Sequence, residues 1–206
     1  MNATLRTYLI VDEMQPQYAA LTGKLFVGDV VVEGMAELFI ELAPACDIYQ
    51  VMDAALKAAE VRPGGLGVER EYGTLEVHSD RQESIRAAGA AALRLMGLSE
   101  SDRVKPKVVS SKMVTGIDPY MAQRINKASY GGLLLGGQTL CVLEVTPAAY
   151  VVLAANEAEK AANITLVHYR DTGAFGRLYI SGTESEVGIA RDAAVRQIDA
   201  LAGRAA

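Results

Sequence analysis

The feature that most constrains this chain is an internal repeat with a fixed, gapless offset. Glu41 and Pro44 recur as Glu144 and Pro147, Lys57-Ala58-Ala59 recurs as Lys160-Ala161-Ala162, and Val61 is answered by Ile164. Gly73-x-Leu75 returns as Gly176-x-Leu178, and upstream Pro16 and Gly34 return as Pro119 and Gly137. Each pair is 103 residues apart (147 − 44 = 103). An offset kept through strand, helix and loop signals means two copies of one folding unit. The 206 residues therefore divide into two domains of about 100 residues each, placed at 1–103 and 104–206. The polar, proline-ended stretch SESDRVKP spans the boundary.

Within the first copy, residues 5–11 (LRTYLIV) read as a strand, and Pro16 opens a short helix because proline at the first helical position sacrifices no hydrogen bond. Residues 38–42 form a second strand. A long helix follows from Pro44, its face marked by Ile48, Met52, Ala55, Leu56 and Ala59 at helical spacing, and Pro63-Gly64-Gly65 breaks it. A strand over 74–78 leads to Asp80 and Glu83, spaced as a capping box, and to a helix closed by Gly97. The second copy repeats the order: strand 107–114, helix from Pro119, glycine-rich loop, strand 140–145, helix 147–162, strand 164–170 and strand 176–181. Thr183 and Glu186 then box the last helix. The expected class is α+β, with the helices of each unit on one side of a mainly antiparallel sheet.

Several functions are excluded. The net charge is −5 and the Lys and Arg residues are dispersed along the sequence, so the basic footprint of a nucleic-acid binder is missing. No apolar run reaches the length of a membrane span; the opening MNATLRTYLIVDE, with an acidic pair where a leader would carry its cleavage site, reads as a strand rather than a secretory leader, and cytoplasm is the expected compartment. Cys46 and Cys141 are isolated in apolar contexts and read as buried thiols. His78 and His168 lack partners at ligand spacing, which argues against a metal site or cofactor. His168 alternates with Leu166 and Arg170 along one strand face. Gly64-Gly65-x-Gly67 and Gly131-Gly132 fit no phosphate-binding motif and read as flexible loops. No nucleophile, base and orienting group occur in a known catalytic order.

One place carries a charge pattern that the repeat makes informative. Val68-Glu69-Arg70-Glu71 aligns at the common offset with Asp171-Thr172-Gly173-Ala174. Two copies of one loop have diverged into a bulky charged version and a small flexible one. A solvated turn accounts for this in a monomer; a functional role needs an oligomer in which copies of the loop meet on an axis.

The segment LAANEAEKAANITLVHYRDTGAFGRLYISG resembles the bacterial microcompartment shell domain, with its KAAN-ended helix, its strand beginning TLV and its glycine-bearing pore loop. The whole chain, from about residue 5 to 202, is similar to the tandem-domain, circularly permuted, double-disc members of that family, found in carboxysomes and metabolic microcompartments. The ERxxG run at 69–73 is the most specific mark. The resemblance implies two tandem ferredoxin-like domains, and three chains forming a pseudohexameric disc that can stack as a dimer of trimers. It implies a pore gate at Glu69 and Arg70, opened by backbone freedom in Pro63–Gly67, and a second pore-type loop at Gly173, Ala174 and Phe175. Lys57 and Lys160 become disc-edge contacts. The partners would be other shell proteins, hexamers and pentamers, and small metabolites in transit, with no catalysis, no nucleic acid and no membrane. The alternative is a small-molecule-binding regulatory module built from two ferredoxin-like domains.

Overall fold

Alternation along the second strand of each copy gives the sheet two distinct faces, and the helices are shared between them. The computed structural model describes residues 3–205, which fold as two units, one of residues 3–105 with 202–205 and the other of residues 106–201. The first contains β1 (Thr4–Val11), α1 (Pro16–Leu25), β2 (Ala36–Ala43), α2 (Ile48–Ala58), β3 (Arg62–Glu69), β4 (Tyr72–Ser79) and α3 (Gln82–Met96). The second contains β5 (Lys107–Val114), α4 (Pro119–Asn126), β6 (Thr139–Thr146), α5 (Val151–Ala161), β7 (Thr165–Arg170), β8 (Gly176–Gly182) and α6 (Glu184–Ala200). The sheets run β1-β2-β4-β3 and β5-β6-β8-β7, antiparallel at every junction.

In the first unit, Leu38, Ile40 and Leu42 of β2 and Leu75 and Val77 of β4 share a core with Ile48, Val51 and Ala55 of α2 and Ile85, Ala88 and Ala92 of α3. Each large aliphatic side chain buried there contributes about 1.5–3 kcal/mol, so this face dominates the unit's stability. The intervening residues Glu37, Phe39 and Glu41 point the other way. Tyr18 of α1 donates to Glu37 there, and the Phe26 ring lies 6.1 Å from Phe39. The helices are thus not all on one side: α1 covers the opposite face. In the second unit α4 does the same, its Ala122 sharing a cluster with Ile117, Leu134, Leu140 and Val167.

Element ends differ from expectation where backbone demands outweigh local signals. Pro44 and Pro147 each follow a cis peptide bond and open a short 3-10 turn before α2 and α5. Asp80 caps nothing at α3, whose N-cap is Arg81; Ser79 Oγ instead accepts the Arg81 amide at 3.2 Å. Thr183 does cap α6, accepting from the Glu186 amide at 3.3 Å, while the Glu186 carboxylate accepts from the Asn163 amide at 3.1 Å. Cys141 is buried as expected, but Cys46 sits on the exposed side of the turn.

The largest departure is at Pro63-Gly64-Gly65, which is not a breaker but part of β3, with a bulge between Pro63 and Gly65. Proline is tolerated because β3 is an edge strand. The preceding loop is pinned to that edge: the amides of Gly28 and Asp29 donate to the carbonyls of Gly64 and Pro63 at 3.0 and 2.8 Å. Gly131 and Gly132 repeat the arrangement on Val167 and Leu166 at 3.0 and 2.9 Å. Both glycine-rich stretches are therefore fixed connections rather than flexible ones. The matching bulge in β7 lies between Leu166 and His168, so His168 and Leu166 face opposite sides of the sheet, contrary to simple alternation.

Candidate functional site

The β3–β4 connection carries Glu69 and Arg70. Its ladder continues to the Val68–Gly73 and Glu69–Tyr72 pairs, leaving Arg70-Glu71 as a two-residue turn. Arg70 has φ 54°, the only non-glycine among the described residues on the left-handed side, a conformation that costs roughly 1–2 kcal/mol for a residue with a Cβ. In the second unit the β7–β8 ladder stops at the Arg170–Arg177 pair, which occupies the register of Gly67 and Thr74. Residues 171–175 remain as an open loop with Gly173 at φ 96° and Phe175 exposed at its end. The two connections have equal length. One is a stiff charged tip and the other a small-residue loop.

The base of the charged tip is braced. The Arg6 guanidinium lies 3.8 Å from the centre of the Tyr72 ring, its Nε donates to Glu41 Oε1 at 3.0 Å, and Thr7 Oγ1 donates to Glu41 Oε2 at 3.2 Å. The second unit keeps the acid but changes the base, pairing Glu144 with Arg177 Nε at 2.7 Å. Glu69 and Arg70 form no ion pair among the described residues, so both charges are available to a neighbour.

The motif glycine has a packing role. A Cβ at Gly73 would be driven into the Ala45 carbonyl oxygen and lie 2.8 Å from Ile48 Cβ; Gly176 meets the Ala148 carbonyl and Val151 in the same way. Pro63, Gly64 and Gly65, expected to give backbone freedom, are instead held in the sheet edge. A Cβ at Gly64 would strike Glu76 Oε2, and one at Gly65 would lie 3.1 Å from the Phe26 ring. These glycines permit close approach.

Behind β3 lies a buried polar group that the sequence reading did not assemble. Glu76 Oε2 accepts from the Gly65 amide at 3.1 Å, and its Oε1 is 3.0 Å from His78 Nδ1. His78 Nε2 is 3.5 Å from Asp29 Oδ2. Burial pushes the Glu76 carboxyl above its ordinary range, against the opposing pull of His78 and the glycine amides. Burial also works against the His78 imidazolium, but Glu76 and Asp29 outweigh it and raise the pKa. The second unit has Tyr179 and Ser181 at these positions, so the pair belongs to the first copy alone. The available signal was that Glu37, Glu76 and His78 all fall on the α1 face of their strands. Its consequence is mechanical: it clamps Gly65 and stiffens the strand that leads to the tip.

Lys57 and Lys160 occupy the last turns of α2 and α5, where a cation is favoured by the helix dipole. Lys57 Nζ pairs with Asp53 at 2.6 Å. Four residues before Lys160 stands a buried Asn156, so Lys160 lacks that intrahelical acid and is exposed without an ion pair among the described residues. No group of three or more metal-ligating side chains occurs among the described residues, and no helix among them is long and apolar enough to cross a membrane.

Comparisons with known proteins match two stretches of the chain. Residues 5–102 match the CsoS1D N-terminal domain and residues 139–204 match the BMC domain. Carboxysome shell protein CcmP of Synechococcus elongatus is 47% identical over 204 residues, covering 99% of this chain and 96% of that protein. Carboxysome shell protein CsoS1D of Hydrogenovibrio crunogenus is 38% identical over 201 residues, covering 97% of this chain and 98% of its own length. Among solved structures, a double ringed trimeric shell protein from the RMM microcompartment superposes with a TM-score of 0.95 at 38% identity, over 99% of this chain and 100% of that one. A fused permuted hexameric shell protein from the same compartment gives 0.91 at 42% identity, over 96% and 98%. The chain belongs to the tandem-domain bacterial microcompartment shell proteins, the family of carboxysome shell proteins CcmP and CsoS1D.

Proposed function

We propose that three copies of this chain assemble into a pseudohexameric disc that tiles a microcompartment shell inside the cytoplasm, with Glu69 and Arg70 gating a central pore for small metabolites. The observation that carries the proposal is the divergence of the two hairpins. A duplicated connection of constant length has been stiffened by two extra ladder pairs in one copy only, and that copy holds an adjacent acid and base without intrachain partners. Three such tips around an axis bring three carboxylates and three guanidiniums together. Partly dehydrated charges need partners, and a Glu69 of one chain paired with an Arg70 of the next closes the aperture with charge-assisted hydrogen bonds. Rotation of the two side chains away from the axis opens it, since the clamped β3 strand leaves only the tip free to move.

The loop at Gly173, Ala174 and Phe175 is the small-residue counterpart and supplies a second constriction without charge. Lys57 and Lys160 lie where disc edges meet, each stem packed against a neighbour and its ammonium donating to a carbonyl there. The double ringed trimer of the relative supports stacking of two discs face to face, and the shell-protein relatives support hexamers and pentamers as lateral partners. The role is structural, with no catalytic chemistry. The test is Glu69→Ala with Arg70→Ala: light scattering is expected to report an unchanged assembly, and cryo-electron microscopy an open aperture. Dissociation of the assembly in that variant would make the pair architectural and refute the gate.

A further inference from the structure

Each unit has a cavity beside its edge strand and the end of its first helix, and the two cavities differ in lining and in chemistry. In the first unit Leu25, Phe26, Val27, Met52 and the Pro63–Leu66 stretch enclose about 480 Å³ without one titratable side chain. In the second, a cavity of about 440 Å³ is lined by Arg124, Ser129, His168, Arg170, Arg177 and Tyr179, and by no carboxylate. Both volumes suit a metabolite-sized ligand.

Strand register explains how residues far apart in sequence converge. Across β7 and β8, Arg170 lies opposite Arg177 and His168 opposite Tyr179; the bulge after Leu166 brings His168 and Arg170 onto the face that Arg177 and Tyr179 share by ordinary alternation. Arg124 projects from α4 at the rim. At the same offset the first unit has Gly67, Thr74, Gly65, Glu76 and Leu21, so the positive charge arose in one copy only.

This arrangement is unfavourable as it stands. Like charges directly opposite on neighbouring strands repel, and only Arg177 is neutralised, by Glu144 at 2.7 Å. Arg124 and Arg170 form no ion pair among the described residues. His168 Nδ1 is buried without a hydrogen-bond partner, its ring held 5.8 Å from that of Tyr130 and 6.2 Å from that of Tyr179. Buried polar atoms are ordinarily satisfied, and planar guanidinium forks match the oxygens of phosphate and carboxylate groups.

We infer that this groove of the second unit binds a small multivalent oxyanion, a phosphate ester or a polycarboxylate, bridged by Arg124 and Arg170 and hydrogen-bonded by His168 and Tyr179. Burial, reinforced by the nearby Arg170 charge, keeps the His168 pKa low, so the neutral ring offers one donor and one acceptor to the ligand. The site uses none of the tip residues and stands independently of the gate.

Calorimetric titration of the full chain in low salt tests it, with inorganic phosphate, ribose 5-phosphate and citrate as probes and uncharged ribose as control. Saturable binding of at least one anion is expected, with none for ribose, and a loss of at least tenfold in affinity in the R124Q/R170Q variant. Tighter ribose 5-phosphate than citrate identifies a phosphate ester as the ligand class, and the reverse a polycarboxylate. Both substituted side chains are exposed and unpaired, so the variant retains its fold, which circular dichroism checks. Absence of saturable heat with all three anions, or affinity in R124Q/R170Q within twofold of the parent, overturns the inference.

Discussion

Alanine at Gly73 and alanine at Gly67 separate the two roles a glycine can play in the charged hairpin. At Gly73 the new methyl is forced into the main-chain oxygen of Ala45, fixed in its 3-10 turn, and sits 2.8 Å from Ile48 Cβ. Overpacking of this kind costs about 1–3 kcal/mol, and with backbone as the obstacle the upper figure applies. With a urea dependence of about 2 kcal/mol per molar, a loss of about 3 kcal/mol lowers the unfolding midpoint by roughly 1.5 M. At Gly67 the methyl meets only the Thr74 hydroxyl at 3.1 Å, which rotates away. Alanine there restricts the unfolded chain and returns about 0.5–1 kcal/mol, leaving the midpoint unchanged or slightly raised. Both variants are compared with the parent at one protein concentration, because association shifts apparent stability. The reasoning fails if Gly73→Ala unfolds within about 0.3 M of the parent. It also fails if Gly67→Ala loses as much as Gly73→Ala, since β3 would then depend on glycine freedom rather than on close packing.

Other consequences are as direct. Arg70→Gly relieves the left-handed turn and exceeds Arg70→Ala in stability by about 1 kcal/mol, read from urea midpoints; equal midpoints would show that the turn carries no strain. His168 has a folded pKa below its ordinary 6.5, so its contribution is complete above that value and is lost as pH falls through the depressed folded pKa. Stability of the parent should accordingly drop more than that of His168→Asn between about pH 7.5 and pH 5, and parallel profiles would contradict it. Lys160→Ala should weaken lateral association of discs, scored as sheets by negative-stain microscopy, more than Lys57→Ala, whose ammonium Asp53 already holds; undiminished sheets in Lys160→Ala would remove the edge role.

Much of the architecture was legible because duplication supplied a register. Pro16 and Pro119, Pro44 and Pro147, and Gly73 and Gly176 mark the same points in both units. Local rules failed where tertiary contacts set the outcome. Pro63-Gly64-Gly65 has the composition of a breaker, yet it is a strand because the Gly28 and Asp29 amides close its edge. The bulge that reverses His168 against Leu166 leaves no mark in a hydropathy pattern. Glu69 and Arg70 were visible as a charged tip through comparison with 171–175. Arg124, Arg170 and Arg177 looked dispersed because a helix and two strands bring them together only after folding, although the offset already set them against Leu21, Gly67 and Thr74.

The claim on which the functional account rests is that tips from three chains meet. A chain carrying Glu69→Cys and Arg70→Cys, with the exposed Cys46 replaced by Ser and the buried Cys141 retained, tests this by mild oxidation and non-reducing electrophoresis. Each tip then presents one thiol to either neighbour, and the account predicts a covalent species three times the 21.9 kDa chain. A product that stays at the mass of one chain with both introduced thiols still free to alkylation, while light scattering reports an intact assembly, would place the hairpins away from the axis and contradict the gate.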